Sequence, residues 1–289
     1  MDELLAYLII GVFSGGVYSL IALGLVIIFK TTKTLNFAVG EMVVMGGLIT
    51  VSLMNTGLPH WVAIILGVAI GGAIGLLFQK VILSSFIKRP ILDTLIVTCF
   101  IIYLLEGLNG CGWGVNARFF PAFLPQWHLN IGDIIISSEI MWSFIVGIAL
   151  SFILVIVFRY TKLGLGLRAV ADADTLARSK GISISSTHSI VWALGGIAAV
   201  VGGTLFGYIS GISPTEGTIG LRAIPVAFLG GLESPSGAIV AGLIIGIVER
   251  LTEGYLSSSW ASMAPFIILL AVLLVRPQGL LGQRATERV

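Results

Sequence analysis

Charge is what this chain has least of. Lys and Arg number 16 and Asp and Glu 14 among 289 residues, whereas hydrophobic residues make up 57%. A soluble domain of this length cannot hide so much apolar surface, so the composition specifies a polytopic membrane protein. The small net charge of +2 gives no footprint for nucleic acid, and only the placement of the charges along the chain is informative. Cysteine and histidine are equally sparse. Cys99 and Cys111 lack metal-ligand spacing and read as apolar filler, while His60, His128 and His188 fall in separate loops. These absences speak against a metal centre or a proton-relay cluster. There is no phosphate-binding glycine loop, no HExxH and no spacing that assembles a nucleophile with its base, so no active site is expected. Energy for any transport must come from a gradient or from another protein.

What is present is a series of apolar segments, at 5–29, 37–55, 61–79, 91–109, 140–158, 189–211, 236–254 and 260–275, with a shorter one at 219–232. Each long segment meets the roughly 20-residue requirement for crossing a bilayer, and in lipid such segments must be helical. The fold class expected is an all-α polytopic membrane protein, with about eight transmembrane helices plus a short broken or re-entrant helix. Met1-Asp2-Glu3 has no basic region, so the first segment reads as an uncleaved span. Basic residues follow the first segment (Lys30, Lys33), the third (Lys80, Lys88, Arg89) and the fifth, and recur in the tail (Arg276, Arg284, Arg288). The intervening loops 55–60 and 110–135 hold almost none. Positive loops stay in the cytoplasm, which puts the N-terminus outside and the C-terminus inside. That orientation needs an odd number of crossings, so the 219–232 piece is expected to cross as well, broken by Pro225 and ending at Gly230-Gly231.

The longest polar interval is 159–188, with Arg159, Lys162, Arg168, Arg178 and Lys180. Within it Ala169–Ser179 reads as one short alanine-rich helix ended by Gly181. Such a helix in a basic loop suits docking of a soluble partner; the plainer alternative is a solvated loop that only sets orientation. The loop at 110–135 contains Trp113, Phe119, Phe120, Phe123 and Trp127, expected to form an interfacial belt, with contact to an extracellular partner as the alternative. Glycines four apart, at Gly11/Gly15, Gly67/Gly71/Gly75, Gly203/Gly207 and Gly242/Gly246, permit close helix approach within a bundle or against a partner subunit.

Charge inside an apolar segment is costly and by default functional. Glu41 stands out, in Leu35-Asn36-Phe37-Ala38-Val39-Gly40-Glu41-Met42, with Asn36 and Gly40 close to it on one side of the helix. The competing readings are a wet interfacial carboxylate and a partner for Lys33. Glu106, Glu249, Arg250 and Glu253 are expected at solvated helix ends, and Arg222 and Glu233 bracket the broken helix. The entry at 35–47, ending Gly46-Gly47, resembles 219–232, ending Gly230-Gly231, as internal repeats with interrupted helices do in transporters; chance likeness between glycine-rich apolar sequences is the alternative.

Four stretches taken together resemble the permease subunits of bacterial branched-chain amino acid ABC importers, of the LivH type: Asn36-Phe37-Ala38-Val39-Gly40-Glu41-Met42; Arg168-Ala169-Val170-Ala171-Asp172 with Ala177 and Gly181-Ile182; Leu229-Gly230-Gly231-Leu232-Glu233-Ser234 with Gly237-Ala238; and Arg276-Pro277-Gln278-Gly279-Leu280-Leu281-Gly282. The resemblance covers nearly the whole chain. It implies one transmembrane permease domain over 1–289, with a cytoplasmic coupling loop at 159–188 whose contact residues are Arg168, Ala169, Asp172, Asp174, Ala177, Gly181 and Ile182. Thr175 and Leu176 stand where the importer pattern E-A-A-x-x-x-G has its leading residues, so Asp172 or Asp174 takes over the acidic contact. The implied pathway residues are Asn36, Gly40, Glu41, Gly230 and Gly231, with no metal and no cofactor bound by this chain; ATP and Mg belong to a partner ATPase. The implied partners are a second permease (a LivM-type heterodimer partner), two cytoplasmic ATPases and an external solute-binding protein, in the lipid of the bacterial inner membrane. Branched-chain or other hydrophobic amino acids are the implied cargo. Urea or short amides are the alternative within the class. A gradient-driven transporter using Glu41 as its ion site is the alternative outside it.

Overall fold

The computed structural model describes residues 2–86, 89–131 and 134–282; Lys88, Arg284 and Arg288, counted above among the basic flanks, lie outside them. The first apolar run becomes α1 (Asp2–Thr32), 31 residues long, or about 46 Å at the α-helical rise. It is followed by α2 (Val39–Met54), α3 (His60–Leu77), α4 (Ile91–Trp113), α5 (Ser138–Tyr160), the short α6 (Lys162–Asp172) and α7 (Asp174–Ser179), and α8 (Ile184–Ser210). The small α9 (Thr218–Leu221) and α10 (Ala223–Gly230) lead to α11 (Pro235–Tyr255) and α12 (Ser258–Val275). Among the described residues seven helices are long and apolar enough to cross a membrane.

The segment expected to span at 37–55 behaves differently. Residues 33–38 are not helical, and α2 begins only at Val39, giving 16 residues that are buried without a break from Val39 to Leu48. Such an interrupted pass is tolerated because protein, not lipid, surrounds it. The other short pass is the expected broken helix. α8 ends beside the loop that follows α4, where Arg118 and Ile212 exchange backbone hydrogen bonds, and α10 ends where Glu233 meets Lys33 at 2.6 Å. Residues 211–234 therefore run from one end of the bundle to the other. Pro225 lies in the first turn of α10, where its missing N–H leaves no helical bond unmade. Nine passes result among the described residues, and the ends of the chain lie apart: Tyr7 touches Tyr255 at one end, and Leu280 donates its amide to the Leu229 carbonyl at the other.

Helix association relies on the glycine ladders. A Cβ at Gly15 would overlap the Gly242 carbonyl, and one at Gly246 would strike Gly11 and Gly15, so α1 and α11 touch backbone to backbone. Gly71 and Gly75 of α3 seat in the same way on Gly196 and Trp192 of α8, and Gly203 of α8 sits on the Val43 carbonyl of α2. In lipid, where apolar bulk gives no drive to associate, this close approach supplies the dispersion energy that holds helices together. α1, α2 and α8 form the interior. α4, α5 and α12 show their large apolar side chains outward, among them Phe100, Phe152 and Leu270.

The aromatic loop is only partly a belt. Phe120 and Phe123 fold back onto the end of α8, where Gly207 leaves room for the Phe120 ring and Phe123 lies 4.4 Å from Tyr208 between centroids. Phe119 and Trp127 remain exposed. A short antiparallel hairpin not foreseen in the sequence, β1 (His128–Ile131) with β2 (Ile134–Ser137), pairs His128 with Ser137 and delivers the chain into α5.

Candidate functional site

Two places on this scaffold gather the sequence's candidates. The first is buried, at the start of α2. Glu41 is buried and accepts a hydrogen bond from the Asn109 amide of α4 at 3.0 Å. Its carboxylate presses on Gly217, and Gly40 and Gly220 bring their backbones together, so the entry to α2 meets the entry to α9. The two interrupted segments that resembled each other in sequence are thus joined through their glycines. Asn36 donates to the Met42 sulfur at 3.4 Å, and its own Oδ1 is buried without a partner among the described residues, as is that of Asn109. Neither plainer reading of Glu41 describes it: Lys33 pairs with Glu233 instead, and the carboxylate is not at a wet surface. Gly230 and Gly231 are not part of this cluster. They lie at the opposite end of α10, packed on Gly237 and on the 278–282 segment, and Gly231 takes a positive φ of 99° to turn the chain there.

A neighbouring polar group was misjudged from sequence. Glu249, expected at a solvated helix end, is buried on α11 and paired with the Arg222 guanidinium. Arg222 occupies the break between α9 and α10, and also reaches the Tyr18 hydroxyl of α1 at 3.2 Å and Ser262 of α12 at 3.5 Å. One side chain thereby ties the broken pass to three helices. Asn109 and Tyr18 were not anticipated at all.

The second place is the basic end of the molecule. Lys30 of α1, Arg159 of α5, Arg168 of α6 and Glu233 border one recess of about 750 Å³, solvent-facing space included, so the basic flank of α1 and that after α5, far apart in sequence, converge. Here the single helix expected over Ala169–Ser179 is corrected: α6 begins earlier, at Lys162, and breaks at Ala173, where φ −160° and ψ 97° are extended. The two short helices share one apolar footing: Val170, Ala177 and Ile184 form one small buried cluster with Ala169 and Ile182 around it. Thr161 caps α6 by accepting from the Gly164 amide at 3.0 Å, and Asp174 opens α7, where a carboxylate complements the helix dipole. Gly181 ends α7 as expected. It adopts φ 83°, its amide bonds the Arg178 carbonyl and the Ile182 amide bonds that of Ala177, the paired bonds of a Schellman ending. Asp172, Asp174, Leu176 and Gly181 are exposed, Arg168, Ala169 and Ile182 half-buried and Ala177 buried. The α6–α7 elbow is therefore a small knob on its own apolar footing, with an apolar tip at Leu176.

Nine passes, two interrupted segments meeting at a buried carboxylate, and a projecting elbow at a basic end are the build of a polytopic transport protein. Comparison narrows the class. The family described as the permease component of branched-chain amino acid transport systems matches residues 7–273, and the chain belongs to it. It is 30% identical, with 96% of each chain covered, to the high-affinity branched-chain amino acid transport system permease protein LivH of Escherichia coli K12. It is 29% identical to the probable LivH permease of Methanocaldococcus jannaschii (91% of this chain, 88% of that one), and 26% identical to the ribose import permease protein RbsC of Escherichia coli K12 (89% and 81%). In fold it resembles PsaBC from Streptococcus pneumoniae, solved with an Fab, at a TM-score of 0.50 and 14% identity over 94% of this chain and 92% of that one. The chain is a permease component of an ABC transport system, and its long apolar helices place it in a membrane.

Proposed function

We propose that this chain forms one half of the translocation pathway of an ATP-driven importer for branched-chain or similarly hydrophobic amino acids in the bacterial inner membrane. A second permease, of the same or LivM type, supplies the other half. An external solute-binding protein delivers cargo, and two cytoplasmic ATPases carry the ATP and Mg. The reading of cargo rests on the LivH relatives, which align nearly end to end. The N-terminus faces outward and the basic end faces the cytoplasm, in keeping with the placement of positive charge.

The observation that carries the mechanism is the α6–α7 elbow: a compact knob, fixed to the bundle by Leu167 in the main core and by the Val170–Ala177–Ile184 cluster, with Asp172, Asp174 and Leu176 exposed. Asp172, Asp174 and Leu176 meet a cleft in the ATPase, with Arg168 and Lys180 beside them. ATP-driven closure of the partner dimer moves the elbow, and the rigid helices α5 and α8 on either side pass that movement to the buried junction at Glu41. The elbow is then the element whose two positions are biased from outside. Asn36, Gly40 and Glu41 line the pathway at that junction.

The test is ATP hydrolysis by the purified importer, with and without loaded binding protein. Replacing Gly181 by Val forces a β-branched residue into φ 83°, in space that is otherwise open, so it disturbs the end of α7 without a clash elsewhere. Stimulation by cargo should fall severalfold while the protein remains folded; full stimulation in the variant refutes the docking role. Uptake of labelled leucine, competed with valine, urea and alanine, settles the cargo, and competition by urea but not valine would refute the amino acid reading.

A further inference from the structure

A second recess opens at the same end of the molecule, beside the end of α1. α3 widens into a π-helical turn at Phe78–Ile82, a departure that often marks functional sites. It brings Gln79, only 2% exposed, to the wall of a recess of about 400 Å³, solvent-facing space included. Thr94 of α4 and His188 of α8 line the same recess and are also more than nine-tenths buried. None of the three side chains makes a hydrogen bond to another described residue. At the rim, Arg89 lies 5.9 Å from the Phe86 ring and has no carboxylate partner among the described residues. Lys33 contributes its backbone at a positive φ of 54°, uncommon for a residue with a Cβ, while its ammonium is occupied by Glu233.

Among the described residues no carboxylate lines this recess; its lining includes the Arg89 guanidinium and buried side chains able to donate. The polar atoms of these side chains are open to the recess and not sealed by protein, so an oxyanion offering several lone pairs can accept from all of them together. Beside the recess, Val81 and Leu92 are exposed apolar side chains on the lipid-facing surface. The charged rim thus sits where hydrocarbon gives way to headgroups, as in basic pockets that take anionic lipid.

We infer that the Gln79–Arg89–Thr94–His188 recess binds a phosphate oxyanion, supplied by the headgroup of an anionic phospholipid in the adjoining leaflet. This goes beyond the transport reading and does not depend on it: loss of coupling in a Gly181 variant would leave this site intact. The experiment uses the full purified permease in nanodiscs of phosphatidylglycerol or of phosphatidylcholine, with retained lipid counted by native mass spectrometry. A parallel melting series adds inorganic phosphate to protein in detergent. Arg89→Gln and Gln79→Leu each remove one charge-assisted contact and should lower retained phosphatidylglycerol about tenfold. Gln79→Glu, nearly the same size, should abolish retention by repulsion and separates loss of the site from loss of the fold. Stabilisation by inorganic phosphate that disappears in Arg89→Gln, without selective retention of phosphatidylglycerol, would keep the oxyanion site and overturn the lipid as its source. Equal retention of both lipids, and no phosphate effect that Arg89→Gln removes, overturns the site itself.

Discussion

A charged side chain inside an apolar bundle requires a partner, and the two buried carboxylates here have solved the problem differently. Glu249 has Arg222, so removing either member strands the other. Glu249→Leu or Arg222→Met alone should lower stability by up to about 3–5 kcal/mol, nearer the lower figure because Arg222 keeps some contact with solvent. The double variant should recover most of the loss, because no charge is then left alone; thermal unfolding of the four proteins in one detergent measures this, and additive losses would refute the coupling. Glu41 has only a neutral amide, which is what a carboxylate kept for a function would look like. Glu41→Leu should preserve folding and reduce uptake by an order of magnitude or more, and Asn109→Leu should reproduce part of that loss. Normal uptake by Glu41→Leu would remove it from the pathway. Glu41 was legible in the sequence because an ionisable group in an apolar run stands out by itself. Asn109 was not, because a neutral amide near the end of a span looks like an ordinary polar flank. Glu249 was misread for a related reason: its partner lies 27 residues away, across a turn and a helix, and local spacing says nothing about it.

At the scale of helices, the glycine ladders were readable and their pairings were not. Spacing identified Gly11/Gly15 and Gly242/Gly246 as contact faces, but only the fold places one on the other. The distinction yields a prediction. Gly203→Ala puts a methyl group onto the Val43 carbonyl, which belongs to a backbone that cannot give way, and should cost about 1–3 kcal/mol by overpacking. Gly166→Ala on α6 meets open space and should gain up to about 1 kcal/mol from helix propensity alone. Melting temperatures moving in opposite directions would confirm that packing, not composition, assigns the role of each glycine. The elbow shows the reverse limit. Alanine content over 169–179 favours a straight helix, yet the chain is extended at Ala173 and resumes as a second helix opened by Asp174. Propensity is a few tenths of a kcal/mol per residue, too little to hold one helix through Asp172-Ala173-Asp174 by itself.

For the molecule as a whole, it is the proposed orientation that would join the two sites into a mechanism. The basic flanks of α1, α5 and α6 converge at one end, and 211–234 supplies the odd pass that places the described ends of the chain on opposite faces. The charge pattern asks for an odd number of passes without reference to any helix, because short loops keep their positive charge on one side whatever the shape of the passes between them. The consequence can be measured by labelling. With Cys99 and Cys111 replaced by Ala, Thr56→Cys, exposed between α2 and α3, should react with a membrane-impermeant maleimide on intact cells. Ser179→Cys on the elbow should react only after permeabilisation. The reverse pattern would turn the protein over and detach the elbow from any cytoplasmic ATPase. Labelling of both from one side would remove a crossing and break the path from elbow to Glu41, since a knob on the outer face could receive no work from ATP.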